Sequence, residues 1–113
     1  MGVDVELIRV EQQGTSPRRR RESRVALIGD VQFRLASALE RVQHRGRTPM
    51  LDRIDPYGLL ELTSVEMPQF LSELDFLAER AEGAGEEQIL SEVRRVAETC
   101  RDSEALCLRF LGD

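Results

Sequence analysis

Hydrophobic positions recur at spacings of three and four from Met67 to Ala81: Met67, Phe70, Leu71, Leu74, Leu77, Ala78 and Ala81. That rhythm puts one apolar stripe on an α-helix, and the rest of the chain must cover it. A second helix is predicted over about 86–103, with Ile89, Val93, Val96, Ala97 and Cys100 on its stripe and Leu90 on the flank. Gly83-Ala84-Gly85 separates the two, and so short a link makes them antiparallel neighbours. A third helix is predicted over about 31–44, where Val31, Leu35, Ala38, Leu39 and Val42 share a face. Gly46 is its natural stop. Phe33 lies off the stripe, free to meet a strand or a partner.

Alternation marks the strands. Val3, Val5 and Leu7 alternate with Asp4 and Glu6, then Ile8 and Val10 fall on the opposite parity. The switch implies a bulge near Leu7 and Ile8, or burial on both faces. Val25–Ile28 is a short apolar run that turns back on the first strand as a wide hairpin. Asp30 then caps the next helix. The rival reading runs a helix from Ser23 through Gly29, against a cost of about 1 kcal/mol for an interior glycine. Met50–Ile54 and Leu59–Thr63 flank Asp55-Pro56-Tyr57-Gly58, whose Pro and Gly suit a type I turn, so the pair reads as a β-hairpin. Thr63 and Glu66 have capping-box spacing, and Pro68 is tolerated only in a first turn, so the following helix begins at 65–67. Leu106, Leu108 and Phe110 form a last strand.

The order β-β-α-β-β-α-α-β predicts one α+β domain over 1–113. Its sheet is mostly antiparallel, with about five strands and about three helices packed on one face. Such a sheet leaves its other face partly apolar, which favours a homodimer or an unidentified protein partner.

Charge changes the picture in two places. All 16 basic residues are arginine. Residues 1–55 hold 11 arginines against 8 acids, a balance of +3, whereas residues 56–113 hold 5 against 13, a balance of −8. An acidic chain repels nucleic acid as a whole, so only a local basic patch could bind it. Arg18, Arg19, Arg20 and Arg21, with Arg24 near, are that patch, in an aperiodic loop at 12–23 expected to be solvated and mobile. No aromatic residue interleaves with these arginines, so base stacking is missing. An acidic protein partner suits them equally.

The candidate chemistry is sparse. His44, Asp55 and Tyr57 are the residues a small enzyme would use, but no Ser or Cys stands near His44 to serve as nucleophile. Cys100 and Cys107, six residues apart, fit no familiar zinc spacing and read as buried free thiols. The carboxylates Glu73, Asp75, Glu79 and Glu82 read as a solvated helix face. No phosphate-binding glycine pattern occurs. No cofactor or metal is expected. Tyr57, on an exposed turn beside Asp55, is a candidate partner anchor. No apolar run approaches the roughly 18 residues of a membrane span, and the acidic start is no secretory signal, so a cytoplasmic location is expected.

Three segments, MGVDVELI, RIDPYGLLEL and LCLRFLGD, carry a resemblance. They resemble small uncharacterised bacterial proteins, mostly actinobacterial, that begin Met-Gly, Val or Ile, Asp and hold an Ile-Asp-Pro-Tyr-Gly segment. These pieces cover under a third of the chain, and the resemblance implies no activity. Members often carry an acid or Asn after that glycine, where Leu59 stands here. In size, acidity and class the chain is also similar to toxin-immunity proteins. The expected function is therefore a non-catalytic protein-interaction module of immunity or regulatory type, with weak phosphate or nucleic-acid binding through Arg18–Arg21 as the alternative.

Overall fold

A computed structural model describes residues 2–12 and 20–112. Four strands, β1 (Val3–Gln12), β2 (Arg20–Ile28), β3 (Leu59–Thr63) and β4 (Leu106–Gly112), form one antiparallel sheet in the order β2-β1-β4-β3. Three helices, α1 (Arg34–Val42), α2 (Met67–Ala78) and α3 (Ala84–Arg101), pack against it. The α+β class, the antiparallel sheet and the three-helix layer agree with the hydrophobic pattern.

Alternation decides which face of the sheet is covered. Val3, Val5 and Leu7 of β1, Leu106, Leu108 and Phe110 of β4, and Leu62 of β3 are all buried in the core. They meet Leu35 and Leu39 of α1, Phe70, Leu74 and Leu77 of α2, and Val93 and Ala97 of α3. Phe70 and Phe110 join the layers, with ring centroids 5.4 Å apart and tilted by 48°. The β1–β2 register slips between Leu7 and Ile8, at the place where the hydrophobic parity switches.

The fifth strand does not form. Met50–Ile54 is a turn around a short 3-10 helix, Leu51–Arg53, and β3 pairs with β4 alone. The reason lies elsewhere in the chain. The buried carboxylate of Glu73 on α2 accepts the N–H groups of Met50 and Leu51 at 2.9 Å each, leaving neither free for a strand. Gln43 Nε2 donates to the carbonyls of Leu51 (2.7 Å) and Ile54 (2.9 Å), taking acceptors from the same segment. The element order is therefore β-β-α-β-α-α-β.

Several boundaries also differ: α3 runs from Ala84 to Arg101 rather than over 86–103, taking in two residues of the expected break, and α1 ends at Val42 rather than 44. β2 starts at Arg20 rather than Val25, because its polar first half pairs with the equally polar end of β1, Arg21 opposite Glu11 and Glu22 opposite Val10. Of the expected loop, residues 13–19 lie outside the described residues. α1 begins at Arg34 rather than 31, because Gln32 (φ 56°) and Phe33 (φ 57°) are left-handed and bend the chain first. α2 ends at Ala78, which is exposed, rather than at Ala81. Asp30 caps α1 across the left-handed turn: its carboxylate takes the N–H groups of Leu35 (2.7 Å) and Ala36 (3.0 Å), and that of Val3 (2.9 Å). The Thr63–Glu66 cap forms, with Thr63 N–H donating to Glu66 at 2.9 Å. This bond is the chief cause that holds the Glu66 carboxyl below its ordinary value.

Candidate functional site

The turn at Asp55–Gly58 is built rigidly. Gly58 N–H donates to Asp55 O at 3.1 Å, and Tyr57 N–H to the Asp55 carboxylate at 2.8 Å. The turn is then bolted to the end of β4, where Gly112 N–H donates to Gly58 O at 2.7 Å. Contact there is so close that a Cβ on Gly112 would stand 2.3 Å from the Pro56 backbone, so only glycine fits. A turn fixed so firmly nevertheless leaves Tyr57 68% exposed.

Opposite the turn stands α1. Its end is held by Gln43, whose two side-chain bonds reach across to the segment leading into the turn. Between them runs an open groove of about 470 Å³. Val3, Ala36, Leu39, Ile54 and Pro56 supply its apolar lining, and Glu40, Gln43, His44 and Tyr57 its polar groups. The volume falls in the range of natural ligand sites, about 300–1,000 Å³. His44 follows α1 in a left-handed conformation (φ 61°). Its backbone N–H donates to Asp52 at 2.8 Å, and Asp52 also accepts the Thr48 hydroxyl at 3.0 Å. Phe33, 51% exposed, lies beside Gly2 at the start of β1, next to the Val3 end of the groove.

The expected site residues therefore divide. Tyr57 lines the groove and Asp55 shapes its rim, but the Asp55 carboxylate is turned back on its own backbone. Arg18 and Arg19 lie outside the described residues, Arg20 begins β2, and Arg21 is exposed opposite Glu11. Tyr57 borders the Val3 end of β1 and Arg21 pairs near its other end, about 25 Å away at the rise of a strand. One ligand of ordinary size does not bridge them. Arg24 is already engaged, its Nε 2.6 Å from Glu6.

His44 and Tyr57, two of the three residues of the small-enzyme reading, do share the groove with Glu40. A general base works best when a second group orients it and a nucleophile lies within hydrogen-bond reach. Among the described residues the His44 imidazole has no hydrogen-bond partner, and neither Ser nor Cys lines the groove. Cys100 and Cys107 are free and buried, and burial pushes both thiols up to about 11. For Cys107 the Glu61 carboxylate, 3.4 Å from Sγ, adds to the rise.

A cluster of Arg41, Arg45, Arg47 and Arg80 surrounds Phe76 on the other side of α1. Helix ends account for two of the four. Arg80 donates to Phe76 O at 2.8 Å and Arg41 to Arg80 O at 3.2 Å, where carbonyls at the end of α2 lack helical partners. Arg80 stacks 3.5 Å from the Phe76 ring centroid and Arg47 4.8 Å.

Fold and site together define a small α+β domain that carries helices on one sheet face and a rigid groove at one sheet end. No protein-family model, curated protein or solved structure matches the chain.

Proposed function

We propose that the chain is a protein-interaction module of immunity or regulatory type, whose docking face is the groove between α1 and the Asp55–Gly58 turn. One observation carries the reading: an aromatic side chain held by a rigid turn and left in solvent over an apolar floor. Burying Tyr57 against a partner costs little order, because the backbone beneath it is already fixed. Tyrosine is enriched where interfaces concentrate their energy. The absence of a nucleophile around His44 weighs the same groove away from catalysis.

Position-specific photo-crosslinking in the native host tests it. A crosslinking side chain placed at Tyr57 is expected to yield one discrete protein adduct, and the same group at exposed Ser91 on α3 none. Equal adducts from both positions, or none from Tyr57, would overturn the assignment.

A second reading keeps Arg18–Arg21 as a phosphate contact, favoured by the exposure of Arg21 at the far end of the β1–β2 hairpin. Four neutralised phosphates give a salt slope near −4 in a log–log titration with duplex DNA, and a flat titration removes this reading.

A further inference from the structure

The charges around the groove narrow the partner. Glu40 lines it. Three more carboxylates are tied to the backbone of lining residues: Asp30 to Val3 and Ala36, Asp52 to His44, and Asp55 to Tyr57. Among the described residues none of these four acids has an ion-pair partner, and no arginine lines the groove. Elsewhere several acids are paired, Glu6 with Arg24, Glu86 with Arg41, Asp75 with Arg94 and Glu66 with Arg53, whereas Glu87, Glu92 and Glu98 stand singly along α3 without an ion-pair partner among the described residues. The groove thus has one free carboxylate, Glu40, in its lining and three backbone-bound ones beside it, no arginine among its lining residues, and a tyrosine ring on its rim. A ring face and a carboxylate together attract a guanidinium or ammonium group, and the apolar floor accepts the aliphatic side chain beside it.

We infer that the groove receives a partner segment in which arginine or lysine alternates with apolar residues. The inference rests on the docking reading above and adds the chemistry of the occupant. A second copy of this chain fits less well. Its basic stretch, SPRRRRES, has charge to offer Glu40 but no hydrophobic side chain to fill the floor.

The test is a heteronuclear NMR titration of the labelled protein with three short acetylated peptides, alternating Leu with Arg, Leu with Glu, and Ser with Arg. The Leu-Arg peptide is expected to shift the amides of Ala36, Leu39, His44 and Tyr57, and the other two to bind at least about tenfold more weakly. Glu40→Gln and Tyr57→Ala are each expected to weaken the Leu-Arg peptide about fivefold or more, and Glu87→Gln on exposed α3 to leave it unchanged. Glu40 and Tyr57 are exposed, so thermal melts of both variants should match the parent and separate lost binding from lost fold. Equal groove shifts from the Leu-Arg and Leu-Glu peptides overturn the cationic occupant while leaving the groove a docking face. Silence of the groove with every peptide overturns both. Binding of argininamide as tight as that of the peptide overturns the segment in favour of a small organic cation. Self-association of the free protein that Glu40→Gln abolishes overturns it in favour of a second copy.

Discussion

At the scale of single residues, the polar groups that matter most are the ones set inside. Glu73 lies on the helix with the clearest hydrophobic stripe, yet it is only 7% exposed. Its carboxylate accepts three N–H groups, from Met50, Leu51 and, at 2.9 Å, Gln69 Nε2. Removing the acceptor strands two backbone donors in the interior, each costing about 1–3 kcal/mol. Glu73→Ala is therefore expected to lose roughly 3 kcal/mol in urea unfolding, and Glu73→Gln, which keeps one acceptor oxygen, less than half of that. Asp75, Glu79 and Glu82 on neighbouring turns are exposed, as the stripe predicts. Nothing in the sequence sets Glu73 apart from them, because the two backbone donors that bury it are more than twenty positions away.

At the scale of elements, legibility followed locality. The helices announced themselves because a three-to-four spacing is a property of adjacent turns. The bulge in β1 was readable for the same reason. The polar half of β2 was not, since residues solvated on both sides leave no alternation. Met50–Ile54 reads as a strand only because a short segment with three apolar residues suits a strand or a turn alike, and Glu73 and Gln43 decide between them. The site shows the same division. Tyr57 and His44 are visible as a lone tyrosine on a turn and a lone histidine, but Glu40 acquires meaning only when Gln43 and Gly112 bring α1 and the turn together. One joint between elements has a consequence in pH. Glu86, at the start of α3, pairs with Arg41 of α1, and the hydrogen bond from that guanidinium is the chief cause holding its carboxyl below the ordinary 4.5. A folded-state pKa lowered in this way adds stability that is complete above about 4.5 and lost as pH falls through the folded value. Glu86→Gln should accordingly be less stable than the parent at neutral pH, and the gap should close on acidification. A gap that stays constant down the acid limb would mean that the pair does not link α1 to α3 energetically.

At the scale of the whole molecule, the sheet face turned away from the helices decides whether copies stay apart. Leu27 and Leu59 are exposed on its outer strands, 49% and 65% respectively. Between them Glu6, Arg24, Arg109, Glu22 and Glu61 form cross-strand pairs, with Arg109 2.7 Å from Glu61 and 3.1 Å from Glu22. Their long side chains flank Ile8 and Cys107, which are only 4% and 6% exposed although they lie outside the core cluster formed with the helices. β2, a sheet edge, also carries Arg21, Glu22 and Arg24 and the irregularity beside Val25, features that blunt an edge against pairing with another chain. The Glu6–Arg24 pair separates stability from solubility. The Glu6 side chain is 9% exposed and that of Arg24 57%, so solvent screens one partner only. Arg24→Val leaves a buried carboxylate without its cation and is expected to cost about 2 kcal/mol, below the full penalty of a buried pair. Adding Glu6→Leu removes the orphaned charge and should restore most of that loss. It also completes an apolar strip from Leu27 through position 6 to Ile8 and position 24, which sedimentation velocity should register as stronger concentration-dependent association than the parent shows. A double variant that regains stability and associates no more than the parent would show that the pair does not guard this face, and Arg21, Glu22 and the bulge would then be left as its defence.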